Sequence, residues 1–249
     1  LEIIRPGLFT TVQDLGRFGC QRYGVPVSGA MDLFALRAAN RLVGNPDGAA
    51  GLEVTCSDCE LRALGPAIVA ITGAAVDAHR HHDRLPMWST VALNDGETLR
   101  LGGPTDGARA YLAVRGGIDV PLVLGSRSTY TRSRLGGFEG RRLEPGDRLP
   151  VGTAPGRTVR FRRLEETLIP RYGTHHVVRV VPGPQDDRFT ADGWHTFVAS
   201  TWRVSVRSDR TGCRLEGPAI AHAVSPDIVS DGSPFGAIQV TGDGRPIVL

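Results

Sequence analysis

Lysine is absent from these 249 residues: all 29 basic side chains are arginine. A Walker A loop needs a lysine for its phosphates and therefore does not exist here. Schiff-base chemistry on a lysine amine is excluded too, and so is a serine–lysine hydrolytic pair. Cysteine is scarce. Cys20, Cys56, Cys59 and Cys213 are too few for a disulfide framework in a chain of this length. They suit a reducing compartment, and the expected location is the cytoplasm. No apolar run approaches the ~20 residues that span a bilayer, and Leu1–Arg5 lacks a charged head followed by an apolar signal core. No membrane association is expected. The arginines are interspersed with 26 acidic residues, for a formal net charge of +3. The densest group, Arg132, Arg134, Arg141 and Arg142, has no interleaved aromatic run. That argues against nucleic acid and for arginines that hold a carboxylate, whose planar oxygens match the guanidinium fork.

What is present is punctuation. Thirty-two glycines and 17 prolines separate short runs bearing Val, Ile and Leu. This pattern predicts strands joined by tight turns, a mainly β protein in one large or two small domains. Gly51–Thr55 and Ala67–Gly73 read as strands. One helix is predicted, Met31–Val43, with Ser28 placed as its N-cap and Leu33, Leu36 and Val43 on its apolar side. Gly44-Asn45-Pro46 stops it. Asp32 then falls in the first turn, as a helix-start acid or as a substrate contact.

The richest polar stretch precedes that helix. Gln13, Asp14 and Arg17 stand beside Gly16 and Gly19, which allow a sharp bend and close approach. They either converge on a ligand or form an acid–arginine pair that pins a loop. Cys56-x-x-Cys59 with the downstream His79, His81 and His82 is a weak zinc pattern, because a second CxxC is lacking and the histidines approach a turn at Asp83; no metal is expected. The segment Leu93–Gly102 repeats as Leu143–Gly152 in the form L-x-x-G-acid-x-L-x-x-G, two turns each feeding a strand. Tyr111–Ile118 reads as a strand ending in Arg115-Gly116-Gly117, and Leu124–Tyr130 follows with amides suited to an oxyanion. Gly125-Ser126 is not a nucleophile elbow, since G-x-S-x-G is missing. A linker is expected around Glu165–Gly173, followed by a new strand at His176–Val181. The domain expectation is accordingly 1–165 and 166–249.

Three ordered blocks carry a resemblance: Phe9–Arg17 (FTTVQDLGR), Gly24–Asp32 (GVPVSGAMD) and Ala39–Asn45 (ANRLVGN). They resemble the biotin-dependent carboxyltransferase family that includes KipA, the C subunit of 5-oxoprolinase and allophanate hydrolase subunit 2. Glu53, Arg115-Gly116-Gly117, Gly125–Thr129, Gly136-Gly137 and Ser208–Leu215 (SDRTGCRL) fit the same pattern, as do Ser230–Gln239 and Asp243–Pro246. Thr211 and Cys213 stand where the family commonly has methionine and an aromatic residue.

The resemblance implies two cyclophilin-like β-barrel domains with one early α-helix. The family pattern continues through a D-x-Q-x-T-G-G-Y segment, so the second barrel is expected to lack its C-terminal strands. The implied function is that of the C subunit in an ATP-dependent 5-oxoprolinase, which opens the lactam of 5-oxoproline to glutamate together with a B subunit and a third component. The alternatives are transfer of a carboxyl group from carboxybiotin to a urea-like substrate, and KipA-like binding of a KipI-like kinase inhibitor. Gln13, Asp14, Arg17 and Arg115 are the expected catalytic residues. Ser28, Asp32, Asn40, Ser126, Arg210, Arg214 and Gln239 are the expected substrate contacts. ATP would be used by the complex with its site elsewhere, and biotin would be carried by another protein. The expected partners are a B subunit of KipI or allophanate hydrolase subunit 1 type and a small-molecule substrate, in a hetero-oligomer.

Overall fold

The computed structural model describes residues 1–154, 156, 161–229 and 232–249. Ser230 and Asp231, which open the SDGSPFGAIQ segment, lie outside the described residues. The chain is mainly β and divides into two compact units, Leu1–His176 and Val177–Leu249.

The first unit is an eight-stranded, curled half-barrel sheet. Its strands are β1 (Glu2–Arg5), β2 (Phe9–Gln13), β3 (Gly51–Thr55), β4 (Cys59–Arg62), β5 (Ala67–Arg80), β6 (Asp83–Arg84), β7 (Thr90–Leu93) and β8 (Thr98–Val114). The order β1-β4-β8-β3-β2 is antiparallel throughout, and β5 pairs with β6, β7 and β8. Side chains alternate across each strand. Val12, Leu52, Val54, Val69, Ile71, Leu99, Leu101 and Leu112 fill the main core on one face. The opposite face carries Ala70, Ala113 and Tyr111 and packs against helix α1 (Leu33–Val43). Ala35, Ala38 and Ala39 on the helix are small enough for close approach, and Leu36, Leu42 and Val43 complete the contact.

Two details of the helix differ from the sequence expectation. Asp32, not Ser28, is the N-cap: its Oδ1 accepts the Ala35 N–H at 2.8 Å, which satisfies a donor that the first turn leaves free. Ser28 lies upstream in a loop with φ +56°. The buried side is centred on Leu36 and Ala39, leaving Leu33 and Phe34 exposed, because the sheet meets the helix through its alanines. The C-terminus is as expected, with Gly44 left-handed at φ +76°. The strand starting at Ala67 continues to Arg80, beyond the expected Gly73, because β8 goes on supplying partners, through register shifts, as far as Arg80. The repeated motif forms the same turn twice, with Gly96 at φ +78° and Gly146 at φ +89°.

The second unit contains helix α2 (Ala191–Ala199) and strands β9 (Arg203–Val204), β10 (Cys213–Glu216), β11 (Ile238–Val240) and β12 (Pro246–Val248) in the order β11-β12-β10-β9. Helix α2 is an addition to the sequence expectation. Its signals are Thr190, whose side chain accepts from Gly193 N, and Asp192 in the first turn. The strand expected at His176–Val181 is not formed. Val177 and Val181 are 97% and 85% exposed, and apolar alternation makes no strand without a neighbour to take its backbone hydrogen bonds. Among the described residues no helix is long and apolar enough to cross a membrane.

Candidate functional site

Asp14 and Arg17 follow strand β2 and are 7% and 1% exposed. Each reaches the segment 126–128 through its own hydrogen bonds. Asp14 Oδ1 accepts from Ser126 Oγ at 2.6 Å, from Ser128 Oγ and from Gly16 N, while Oδ2 accepts from Arg127 N at 2.6 Å. Arg17 donates from Nη2 to Ser128 O at 2.6 Å, from Nη1 to Ser28 Oγ at 3.3 Å and from Nε to Val123 O at 3.4 Å. Burial pushes the guanidinium below its ordinary pKa, opposed by the negative charge of Asp14. Gly16 makes the loop possible: with φ +96°, an added Cβ would sit 2.7 Å from Val27 Cγ1. Arg17 N and Val27 O bond across this contact at 2.8 Å.

Beside this knot, the helix-facing side of the sheet carries a row of polar residues. Thr11 pairs with Glu53, Glu53 with Tyr111, and Tyr111 with Thr72. All four are at most 1% exposed. Tyr111 donates to Glu53 Oε2 at 2.7 Å and accepts from Asp32 N at 2.8 Å. Met31 N donates to the same Glu53 oxygen at 2.9 Å, so the 29–32 loop is docked onto the row. Arg109 Nε stands 3.6 Å from Glu53 Oε1. The free oxygen of the helix cap, Asp32 Oδ2, accepts from Tyr172 OH at 2.7 Å. Burial first, and then the charge of Glu53, raises the Tyr111 pKa; burial and the bond to Asp32 raise that of Tyr172. Tyr172 also borders a cavity of about 520 Å³ with Asp106, Thr105 and His176.

Three buried side-chain atoms have no hydrogen-bond partner among the described residues: Gln13 Oε1, Thr55 Oγ1 and Arg109 Nε. By strand alternation all three belong to this polar face. Buried polar atoms are normally paired, so the face retains capacity for a donor–acceptor guest or for water. A carboxylate, a phenol, an amide and a guanidinium gathered there match the edges of a planar amide.

Of the other sequence-predicted residues, Gln13 lies on this face, whereas Arg115, Asn40, Arg210, Arg214 and Gln239 are dispersed. Arg115 donates from Nη1 to Val43 O at 2.9 Å and from Nη2 to Gly156 O at 3.2 Å, placing its charge at the C-terminus of α1. Asn40 Nδ2 bonds Asp47 O and Ala49 O at 3.2 and 2.8 Å, fixing the turn after that helix. Gln13 donates to Thr11 Oγ1 and Thr129 O. Arg210, Arg214 and Gln239 belong to the second unit, where Arg214 lines a separate cavity. Tyr111, Arg109 and Tyr172 carry no motif that marks them as site residues in the sequence, and Glu53 stands out there only as a strand glutamate. Cys56 is exposed with φ +49° while Cys59 is in the core, so the two thiols do not face one ligand. Among the described residues no group of three or more His, Cys, Asp and Glu side chains is arranged to hold a metal ion.

The curled half-barrel has the carboxyltransferase domains of urea carboxylase as its structural neighbours. The chain belongs to the family described as carboxyltransferase domain, subdomain A and B, whose model matches residues 23–249. It is 38% identical over all 249 residues to the C subunit of 5-oxoprolinase from Escherichia coli strain K12, covering 79% of that protein. It is 36% identical to a putative urea carboxylase of Emericella nidulans, with all of this chain matched to 21% of that one. Among solved structures, the Kluyveromyces lactis urea carboxylase superposes with a TM-score of 0.90 at 33% identity, over 100% of this chain and 24% of the other.

Proposed function

We propose that this chain is a subunit of an ATP-dependent 5-oxoprolinase that opens the lactam of 5-oxoproline with water, giving glutamate. The observation that carries the reading is the match to the C subunit of 5-oxoprolinase along the whole chain and most of that protein's own length. The polar face supports it, since a lactam offers one N–H and one C=O, the complement of an acceptor and a donor on that face. Asp14 and Arg17 act as positioning residues that hold segments 27–28 and 123–128. Arg115 positions the end of α1. Tyr172 lines the cavity and is joined through Asp32 to Tyr111 and Glu53, beside which Arg109 stands. Partner proteins supply the rest of the enzyme, including the use of ATP.

A second reading, carboxyl transfer, is favoured by the family description and by the likeness to the urea carboxylase region. Biotin would arrive on a lysine outside these 249 residues, which contain none for its amide link.

The test is glutamate release from 5-oxoproline and ATP by the full-length protein mixed with its neighbouring B subunit and third component, each omitted in turn. Activity that disappears when this protein is omitted supports the oxoprolinase reading. A stable complex that releases no glutamate but carboxylates urea from a carboxybiotinyl carrier replaces it with the second. A complex with neither activity points to regulatory binding.

A further inference from the structure

The second unit carries a cavity of about 560 Å³ that the oxoprolinase reading does not use. This size falls within the ~300–1,000 Å³ typical of small-molecule sites. Two turns and strand β10 bring its charges together. Arg207 lies in the turn between β9 and β10 and Arg214 on β10 itself, where Ser205 N donates to Arg214 O at 2.8 Å and Arg214 N to Ser208 Oγ at 3.0 Å. Arg245 comes from the β11–β12 turn, which Thr241 N closes by donating to Arg245 O at 3.0 Å.

The two carboxylates in the lining are already engaged. Glu216 Oε2 accepts from Arg203 Nη2 at 2.7 Å and Oε1 from Ser205 Oγ at 2.6 Å, while Asp243 Oδ1 accepts from Thr241 Oγ1. Among the described residues Arg207, Arg214 and Arg245 make no side-chain hydrogen bond and no ion pair within 4.0 Å, although the charges of Arg207 and Arg245 are felt by Glu216 and Asp243. Arg245 is also half-buried. A guanidinium partly withdrawn from water without an acceptor is unfavourable, and each presents a fork of donors shaped for carboxylate or phosphate oxygens.

We propose that this cavity is an oxyanion site: Arg207, Arg214 and Arg245 bind the phosphate or carboxylate group of a small molecule. The inference does not depend on the oxoprolinase reading, since it concerns binding by this chain alone. Two turns from different parts of the unit and strand β10 converge three cations on one concavity, and this convergence carries the proposal.

Isothermal titration calorimetry on the full chain at low ionic strength, with inorganic phosphate and with glutarate as separate probes, tests it. Saturable binding of at least one probe is expected, and which probe binds more tightly distinguishes phosphate from carboxylate. Arg245→Ala and Arg214→Ala should each weaken it by about tenfold or more. Arg245→Lys should recover part of the loss by restoring charge without the fork. Arg188→Ala, outside the lining, should bind as the parent does. No saturation by either probe up to about 10 mM overturns the proposal. So does unchanged affinity in the Arg245→Ala and Arg214→Ala proteins with native circular dichroism. If Arg245→Ala does not fold, Arg245→Gln and Arg245→Lys replace it, and unchanged affinity in both overturns the proposal equally.

Discussion

Ser126 donates its hydroxyl hydrogen to Asp14 at 2.6 Å across 112 positions of sequence, and the carboxylate so engaged takes up three further donors from Gly16, Arg127 and Ser128. Asp14 is therefore the knot between the loop after β2 and the 126–128 segment. That arrangement explains why an acid is required where no water reaches it freely. An amide there turns one oxygen into a donor facing donors.

Asp14→Asn is accordingly expected to cost about 3 kcal/mol of stability, the scale of losing charged hydrogen bonds in a buried site. Urea denaturation measures it. A variant as stable as the parent contradicts the assignment of Asp14 as a knot.

Tyr111→Phe removes one donor from the buried Glu53 and one acceptor from Asp32 N, for an expected loss of about 1–3 kcal/mol. The same phenol sets an alkaline limit. Its pKa is raised in the folded protein, chiefly by burial, so the folded state holds the proton more tightly than the unfolded chain. This stabilisation is complete below the unfolded phenol value of about 10 and is lost as pH rises above it. Stability measured from pH 8 to 11 should fall more steeply in the parent than in Tyr111→Phe.

Thiol chemistry separates the CxxC pair. Burial pushes the Cys59 thiol up to about 12, and its side chain lies in the core, whereas Cys56 is exposed. Iodoacetamide at pH 8 followed by peptide mass spectrometry should label Cys56 in the folded protein and Cys59 only after denaturation. Equal labelling of the two would contradict the packing around β4.

Arg115→Ala takes a cation and a hydrogen bond from the C-terminus of α1, with an expected cost of about 1 kcal/mol. Thermal melting checks the stability. Under the proposed oxoprolinase reading, the expected signature of a positioning residue in the reconstituted complex is partial rescue by Arg115→Lys; an equal loss of turnover in both variants with unchanged melting would make Arg115 a direct contact instead.

Much of the fold is legible in the sequence because it rests on local rules. Gly44-Asn45-Pro46 ends the helix as expected, since a left-handed glycine and a proline act on their own neighbours. The Gly51–Thr55 strand and the two matched turns are legible for the same reason. The N-cap lies four positions from where local pattern puts it. Ser28 and Asp32 are both good caps in isolation, and the docking of Met31 and Asp32 onto Glu53 and Tyr111 selects between them. The His176–Val181 run shows the limit from the other side, because alternation alone supplies no neighbouring strand.

The sequence by itself determined that this protein is β-rich, lysine-free and punctuated by glycine, and it marked Gln13, Asp14 and Arg17 as one polar group. Only the tertiary structure decided that Glu53, Tyr111, Asp32 and Tyr172 form one network, and that Arg115 belongs to a helix end. The physical reason is register. Antiparallel pairing of β3 with β8 sets Glu53 opposite Tyr111, though 58 positions separate them in the chain, and no local pattern encodes which residue a distant strand will present.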